Sequence, residues 1–367
     1  MTAQTAPQTT QDAATAGVGS PGGSAPAGAQ AQGGRPARLP RRALHGVLLL
    51  DKPLGWSSND ALQKVKRLMR AEKAGHTGTL DPLATGLLPL CFGAATKFSQ
   101  VALDADKRYT ATLKLGVRTT TGDAEGEVLS TRPVTITSDA IVQACARFTG
   151  PIDQVPPMHS ALKHQGRALY EYAREGVEVE RPARRVTIHG IDILDWHDDV
   201  LMLDVRCSKG TYIRTLAEDI GEALGCGAHL TALRRTGSGP VTLDGAVTLE
   251  ALQAMTEPER DILLKPLDVL VTHWPDTVLS DDDAGRFLTG LRRRTTLPNM
   301  EAVRVYGHNP AATRDQRPRI FLGSAHVKEG ELIPSRLLSP LEVQGQIDAP
   351  ADAPVPVPIP DAPATTS

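Results

Sequence analysis

Apolar positions recur along the chain with two different periods, and these define most of its elements. Gly46-Val47-Leu48-Leu49-Leu50 is an unbroken apolar run of the kind that buried strands show, ended after Lys52 by Pro53 and the turn residues Gly55 and Trp56. Ser57, with Asp60 three residues on, forms a capping-box pattern. Leu62, Val65, Leu68 and Met69 follow at helical spacing, which predicts a helix that Gly75 stops. The other faces of that helix carry Lys64, Lys66, Arg67, Arg70 and Lys73. Tyr109, Ala111, Leu113 and Leu115 alternate with Arg108, Thr110, Thr112 and Lys114, the period of two of a half-buried strand with Tyr109 heading its apolar face. Leu201, Leu203, Val205 and Cys207 repeat the pattern up to Lys209-Gly210-Thr211. A helix is predicted next, with Ile213, Leu216, Ala217, Ile220 and Leu224 as its buried stripe, Thr215 and Glu218 as a cap one turn in, and Gly225 as its stop. Arg214 flanks this stripe near the N-terminal end. The helix dipole disfavours a cation there, so Arg214 needs an anionic partner or exposure to water.

The texture changes near residue 272, where Trp274-Pro275, the acidic run Asp281 to Asp283 and short strand-like pieces around Val303, Phe321 and Leu332 suggest a small β-rich appendix. Outside these segments, residues 1–44 and 344–367 are rich in Ala, Gly and Pro and hold none of the 13 aromatic residues, too little apolar surface to offset chain entropy; both are expected to be disordered. Gly17, Gly19 and Gly22 spell a glycine-rich fingerprint by chance, since no strand precedes it and no helix follows. Forty Lys plus Arg against 42 Asp plus Glu leave a formal charge of -2, so any basic surface for a polyanion is local. Cys91, Cys145, Cys207 and Cys226 form no C-x-x-C pair, which argues against a zinc site or a disulfide framework and for a reducing, cytoplasmic setting. The first 20 residues hold neither a basic nor an apolar signal region, and no run is long enough to span a membrane.

The chemistry concentrates in Gly75-His76-Thr77-Gly78-Thr79-Leu80-Asp81-Pro82-Leu83-Ala84-Thr85-Gly86-Leu87, a Gly-, Pro- and His-containing loop between apolar flanks whose sole carboxylate is Asp81. Taken alone, the segment reads first as a turn that Asp-Pro initiates, with the glycines permitting tight backbone.

This loop, continuing through Leu88-Pro89 to Cys91-Phe92-Gly93 and Ala95-Thr96-Lys97-Phe98, resembles the signature of the bacterial tRNA pseudouridine synthase B (TruB) family. Four further blocks agree in order: Leu50-Asp51-Lys52-Pro53 with Gly55-Trp56-Ser57-Ser58; Lys107-Arg108-Tyr109 through Leu115-Gly116 to Thr119 and Asp123; Pro156-Pro157-Met158 with Ser160-Ala161-Leu162-Lys163; and Cys207-Ser208-Lys209-Gly210-Thr211-Tyr212-Ile213-Arg214-Thr215 with Gly227-Ala228-His229-Leu230 and Leu233-Arg234-Arg235. The resemblance spans roughly residues 45–240. His159 departs from it, standing where the family often carries Tyr.

The resemblance implies a mixed α/β (α+β) fold: a catalytic domain over residues 45–272 around a central, largely antiparallel sheet, and a β-barrel-like (PUA-like) RNA-binding domain over residues 273–343. It implies isomerisation of uridine 55 in the tRNA T-loop to pseudouridine, with no metal or organic cofactor. Asp81 matches the nucleophile, Arg214 its cationic partner, and Tyr109 the aromatic that stacks on the target base and accepts a proton late in the reaction. Tyr212 and Leu233 match positions lining the same pocket, and Lys52 a basic residue beside it. His76 matches the group that fills the gap left by the everted uridine, and Asp123 is expected to orient its neighbours. Lys64 to Lys73, and the segment Lys163 to Arg185 with Arg167, Arg174, Arg181, Arg184 and Arg185, are the candidates for backbone phosphate contact. The implied partner is the tRNA T-stem-loop, met by a monomer with no obligatory protein partner and no membrane. Competing readings are an RNA-guided synthase subunit and a tRNA-binding or folding module without catalysis. An Asp-nucleophile phosphotransferase would need a phosphate-cradling loop or metal carboxylates that the sequence lacks.

Overall fold

The computed structural model describes residues 40–309 and 318–347. Ten strands build the main sheet: β1 (Gly46–Lys52), β2 (Ala74–His76), β3 (Ala84–Phe92), β4 (Lys107–Leu115), β5 (Gly150–Gln154), β6 (Arg184–His197), β7 (Val200–Cys207), β8 (Ala228–Ser238), β9 (Val241–Thr242) and β10 (Val247–Thr248). Their order is β10-β1-β3-β8-β4-β7-β6-β5, with β2 paired to β3 and β9 to β8. Only β1–β10 and β3–β8 run parallel. The sheet is therefore largely antiparallel, as expected.

The two hydrophobic periods reflect what covers each strand. In β1, Leu48 and Leu50 pack with Ala61, Leu62 and Val65 of helix α1 (Ser58–Leu68), whereas Val47 and Leu49 pack on the other side with Leu87, Cys91 and Phe98. Both faces are covered, so the run is continuously apolar. In β4, alternate residues Tyr109, Ala111, Leu113 and Leu115 enter a core with Leu216, Ala217 and Ile220 of helix α2 (Ile213–Ala223), while Thr110, Thr112 and Lys114 stay half-exposed.

Three local expectations are corrected. Helix α1 ends at Leu68, not at Gly75; Arg70 takes a left-handed φ of 52°, which turns the chain back, and Gly75 falls inside β2. Thr215 and Glu218 do not cap α2. Its N-cap is Tyr212, which has no side-chain cap; Gln154 of β5 instead accepts from the Tyr212 N–H at 3.0 Å and donates to its carbonyl at 3.3 Å. Parts of the segments expected to be disordered carry structure. Arg42 forms ion pairs with Asp261 and Glu257, and a helix runs Pro340–Ile347; the remainder of both segments, 1–39 and 348–367, lies outside the described residues.

After residue 272, strands Asp276–Val278, Arg293–Arg294, Met300–His308, Arg319–Lys328 and Glu331–Leu337 form a second, five-stranded sheet. Its Phe321 stacks on Phe98 at 5.3 Å between centroids, and Lys97 donates to Leu337 O at 2.9 Å. The chain segment that leaves β3 therefore anchors the second sheet.

Backbones approach closely at Gly86 of β3, with φ +96°; a Cβ there would lie 2.3 Å from the Arg235 carbonyl of β8. Gly86→Ala is expected to cost about 3 kcal/mol through backbone strain and overpacking. Urea unfolding should show this as a lower midpoint with an unchanged slope.

Candidate active site

The Asp81 loop, between β2 and β3, is held from four sides. Ser58 at the start of α1 accepts from the Leu80 N–H at 2.7 Å and donates to Leu80 O at 3.1 Å. Gly55 N–H reaches Pro82 O at 2.8 Å, Thr77 N–H reaches Pro89 O at 3.1 Å, and Arg235 Nη2 donates to Gly78 O at 3.2 Å. Ala84 N–H closes an i to i+3 turn onto Asp81 O at 3.0 Å. Asp81-Pro82 is thus a turn initiator as well as the carrier of the carboxylate, so the two readings of this segment are compatible.

The turn aims Asp81 at Arg214. The guanidinium sits in the first turn of α2, with Nη2 2.8 Å from Asp81 Oδ2 and Nη1 3.4 Å from Asp123 Oδ2. Its remaining donors go to Thr121 O at 3.1 Å and to His159 O at 2.6 Å. The departure at His159 therefore matters little to this contact, which uses the main chain. Asp123 is itself fixed by the Thr121 hydroxyl at 2.5 Å and the Glu125 N–H at 3.1 Å. Side-chain exposure is 6% for Arg214 and 4% for Asp123 but 42% for Asp81, so the Asp81 carboxylate is the open end of a buried network. Burial pushes the Asp81 carboxyl above the ordinary carboxylate range; Arg214 opposes this, Asp123 adds to it, and Lys52 pulls weakly downward. The Arg214 charge thus offsets part, not all, of the desolvation.

Asp81 opens onto a cleft of about 380 Å³ that Tyr109, Tyr212, Leu233, Arg214, Arg235 and Lys107 also line. Tyr109, Tyr212 and Leu233 therefore share the cleft with Asp81 and Arg214. Three other expected residues lie outside its wall. Asp123 stands behind Arg214. Lys52 is fully buried, donating to Pro53 O at 3.0 Å and Trp56 O at 2.6 Å, and burial lowers its pKa to about 8. His76 begins the loop half-buried, its Nδ1 enclosed without a hydrogen-bond partner; burial, helped by Arg235, pushes it below the ordinary histidine range.

Sequence reasoning assigned no role to Lys107 or Arg235. Lys107 is 8% exposed, gives its ammonium to Ala102 O at 2.9 Å and Ala105 O at 2.6 Å, and is lowered by burial to about 8. Arg235 is 1% exposed. Their signal was weak: Lys107 precedes the clear alternation of β4, and Arg234-Arg235 does not disclose which arginine turns inward. Arg234 pairs at the surface side with Asp51 at 2.6 Å.

The basic surface is smaller than expected. Arg70 pairs with Glu257, Arg167 with Glu171 and Glu175, Arg181 with Glu178, and Arg185 with Asp153. Lys64, Lys66, Arg67 and Lys73 have no carboxylate partner among the described residues and remain the stronger candidate for phosphate contact.

Residues 66–213 match the family model of the TruB family pseudouridylate synthase N-terminal domain, and 214–272 that of the tRNA pseudouridylate synthase B C-terminal domain. A tRNA pseudouridine synthase B from Ralstonia pickettii is 60% identical over 310 residues, covering 83% of this chain and 97% of that protein. The chain belongs to the TruB family. A second family member, the tRNA pseudouridine synthase B of Burkholderia mallei, is 58% identical over 307 residues, covering 82% of this chain and 96% of that one. Among solved structures, a Cbf5-Nop10-Gar1 complex contains a chain matching with a TM-score of 0.61 and 26% identity, over 82% of this chain and 87% of the other. The mixed α/β fold with its large central sheet is thus the pseudouridine synthase fold. The TruB family models stop at residue 272, shortly before the second sheet begins at Asp276.

The electrostatics of this TruB-family cleft are open to direct titration. The Asp81 carboxyl should titrate above 3.8 in the free protein. Asp123→Asn removes a neighbouring negative charge, which favours the ionised form, and should lower that midpoint. Carbon-13 NMR of aspartate-labelled protein reads both; a wild-type midpoint at or below 3.8 contradicts the account.

Proposed function

We propose that the protein isomerises uridine 55 in the T-loop of tRNA to pseudouridine, with Asp81 as nucleophile. The observation that carries this reading is the Asp81–Arg214–Asp123 network at a cleft, in a chain 60% identical to named tRNA pseudouridine synthases B. The reaction breaks the N1–C1′ bond, turns the base and forms C5–C1′; the C5 proton leaves and N1 ends protonated, with no atoms gained or lost. A carboxylate serves it by trapping either the sugar or the base while the glycosidic bond is open. Asp81 is exposed enough to be reached, and Arg214 biases it toward the ionised form that attacks. Tyr109 stacks on the everted base and takes up the C5 proton, and Tyr212 and Leu233 hold the ring. His76 fills the gap left in the RNA, and Lys52 adds positive potential at Asp81. Asp123 orients Arg214. No metal or organic cofactor enters any step.

Supplying stacking surfaces to an everted base offsets the few kcal/mol of unstacking. Recognition is then mostly of the folded T-arm's shape, with Lys64, Lys66, Arg67 and Lys73 on its phosphates and the sheet over residues 273–343 as a PUA-like RNA-binding domain. The protein acts as a monomer in the cytoplasm, without a guide RNA or partner protein. The high identity to enzymes named for tRNA, against 26% to the chain in the Cbf5 complex, favours this over an RNA-guided subunit.

Purified protein alone should convert a bare T-arm hairpin. Asp81→Asn should abolish conversion in a pseudouridine-specific primer-extension assay while tRNA binding stays within a few fold, and full conversion by that variant would remove Asp81 from the mechanism. Binding should weaken with salt despite the net charge of -2. Replacing Lys64, Lys66 and Arg67 with Ala should lower the slope of log affinity against log salt by roughly 2 to 3; an unchanged slope would move the phosphate contact elsewhere.

A further inference from the structure

Arg235 is a buried cation without a carboxylate. At 1% exposure its guanidinium donates to main-chain oxygens, Nε to Leu87 O at 2.7 Å and Nη2 to Gly78 O at 3.2 Å, and no ion pair to it exists among the described residues. A charge removed from water this completely ordinarily has an acidic neighbour, because desolvation costs several kcal/mol that hydrogen bonds to carbonyls repay only in part. An arginine tolerated there despite the cost points to work that a neutral side chain would not do.

Its position shows what that work is. In the sheet register Gly86, Arg235 and Tyr109 are direct Cα partners across β3, β8 and β4, so Arg235 and Tyr109 project from one face as an adjacent pair. The two carbonyls it holds bracket the Asp81 turn, Gly78 ahead of it and Leu87 behind. Gly78 has φ +107°, and a Cβ there would lie 3.5 Å from Arg235 Nη1, so the loop backbone lies close against the guanidinium.

We propose that Arg235 is a positioning residue for the isomerisation, a fork that locks the Asp81 loop and the Tyr109 phenol into one geometry and acts on the reaction through Tyr109. This rests on the reading that Tyr109 takes up a proton. Burial raises the phenol above the ordinary tyrosine range, and the strongest opposing influence is the Arg235 charge. The other groups facing the phenol, Cys207 of β7 and Asp81 of the loop, act in the upward direction. Lys107, two residues along on β4, and Arg214 and Lys209 share the cleft wall. Arg235 is thus both the register neighbour of Tyr109 and the main electrostatic support for its ionised form.

The test uses the full chain with 3-fluorotyrosine incorporated, comparing wild type, Arg235→Lys and Arg235→Met, each with and without Tyr109→Phe. Fluorine NMR follows the Tyr109 titration in the free protein, and steady-state kinetics on the T-arm hairpin give kcat and KM. Arg235→Met should raise the Tyr109 midpoint, and lower kcat by on the order of 10²-fold with a smaller change in KM. Arg235→Lys keeps the charge and loses the fork; it should hold the midpoint near wild type and recover part of kcat. In the Tyr109→Phe background, Arg235→Met should cost no more than a few fold further. An unmoved Tyr109 midpoint in Arg235→Met, or the full loss of kcat persisting in the Tyr109→Phe background, would overturn the coupling while leaving the role of Tyr109 intact. Wild-type turnover by Tyr109→Phe would overturn the coupling together with the reading beneath it. Should Arg235→Met fail to fold, Arg235→Lys decides: reduced kcat with the midpoint held supports the proposal, and wild-type kcat overturns it.

Discussion

The contact between Asp81 and Arg214 organises everything else in this molecule. A carboxylate in a cleft that excludes water tends to protonate, and a protonated acid is no nucleophile. Arg214 counters that tendency only because it is itself buried, 6% exposed, where its field is poorly screened. Such burial requires further partners, and the fold supplies them as Asp123 and the carbonyls of Thr121 and His159. Removing Asp123 from its buried pair with Arg214 costs about 3–5 kcal/mol, because the arginine's charge is left less compensated. The arrangement is therefore self-enforcing: α2 must dock with its first turn against the loop, and the loop must present its single carboxylate there.

The architecture follows from that requirement. The parallel pairing of β3 with β8 puts the end of the Asp81 loop beside Leu233 and Arg235, and the antiparallel pairing of β8 with β4 puts Arg235 opposite Tyr109 and Leu233 opposite Ala111. Strands β8 and β4 thus carry Leu233, Arg235 and Tyr109 of the cleft wall, while the loop between β2 and β3 carries Asp81 and is tied down at Leu80, Pro82, Gly78 and Thr77. The cleft floor is unusually cationic for a chain with a net charge of -2, since Arg214, Arg235 and Lys107 all reach it. Local charge placement, not bulk composition, suits this protein to a polyanionic substrate.

Much of this was legible in the amino-acid order. The unbroken run at Val47 to Leu50 announced a strand buried on both faces, and the alternation from Tyr109 to Leu115 one with a single packed face. Ser57 announced a cap, and its hydroxyl does accept from the Asp60 N–H at 3.1 Å. The awkward cation at Arg214 announced a partner from elsewhere in the chain. Other features were hidden for physical reasons. Register shifts in β8, between Leu230 and Ala232 and again between Arg235 and Gly237, break the period that would have shown Arg235 pointing inward. The left-handed turn at Arg70 uses a residue type that carries no turn signal. The helix Pro340–Ile347 starts among residues whose composition resembles the tail beyond it, and the acid partners of Arg167, Arg181 and Arg185 could not be paired from spacing alone.

The central claim is that the ionised form of Asp81 performs the first chemical step, and the pH dependence of kcat/KM on a T-arm hairpin tests it most directly. This ratio reports ionisations of the free enzyme. Its acid limb should fall at the same midpoint as the Asp81 carboxyl titration observed by NMR in the unliganded protein, and both should shift together in Asp123→Asn. A rate that stays flat as pH falls through the Asp81 midpoint would contradict the account.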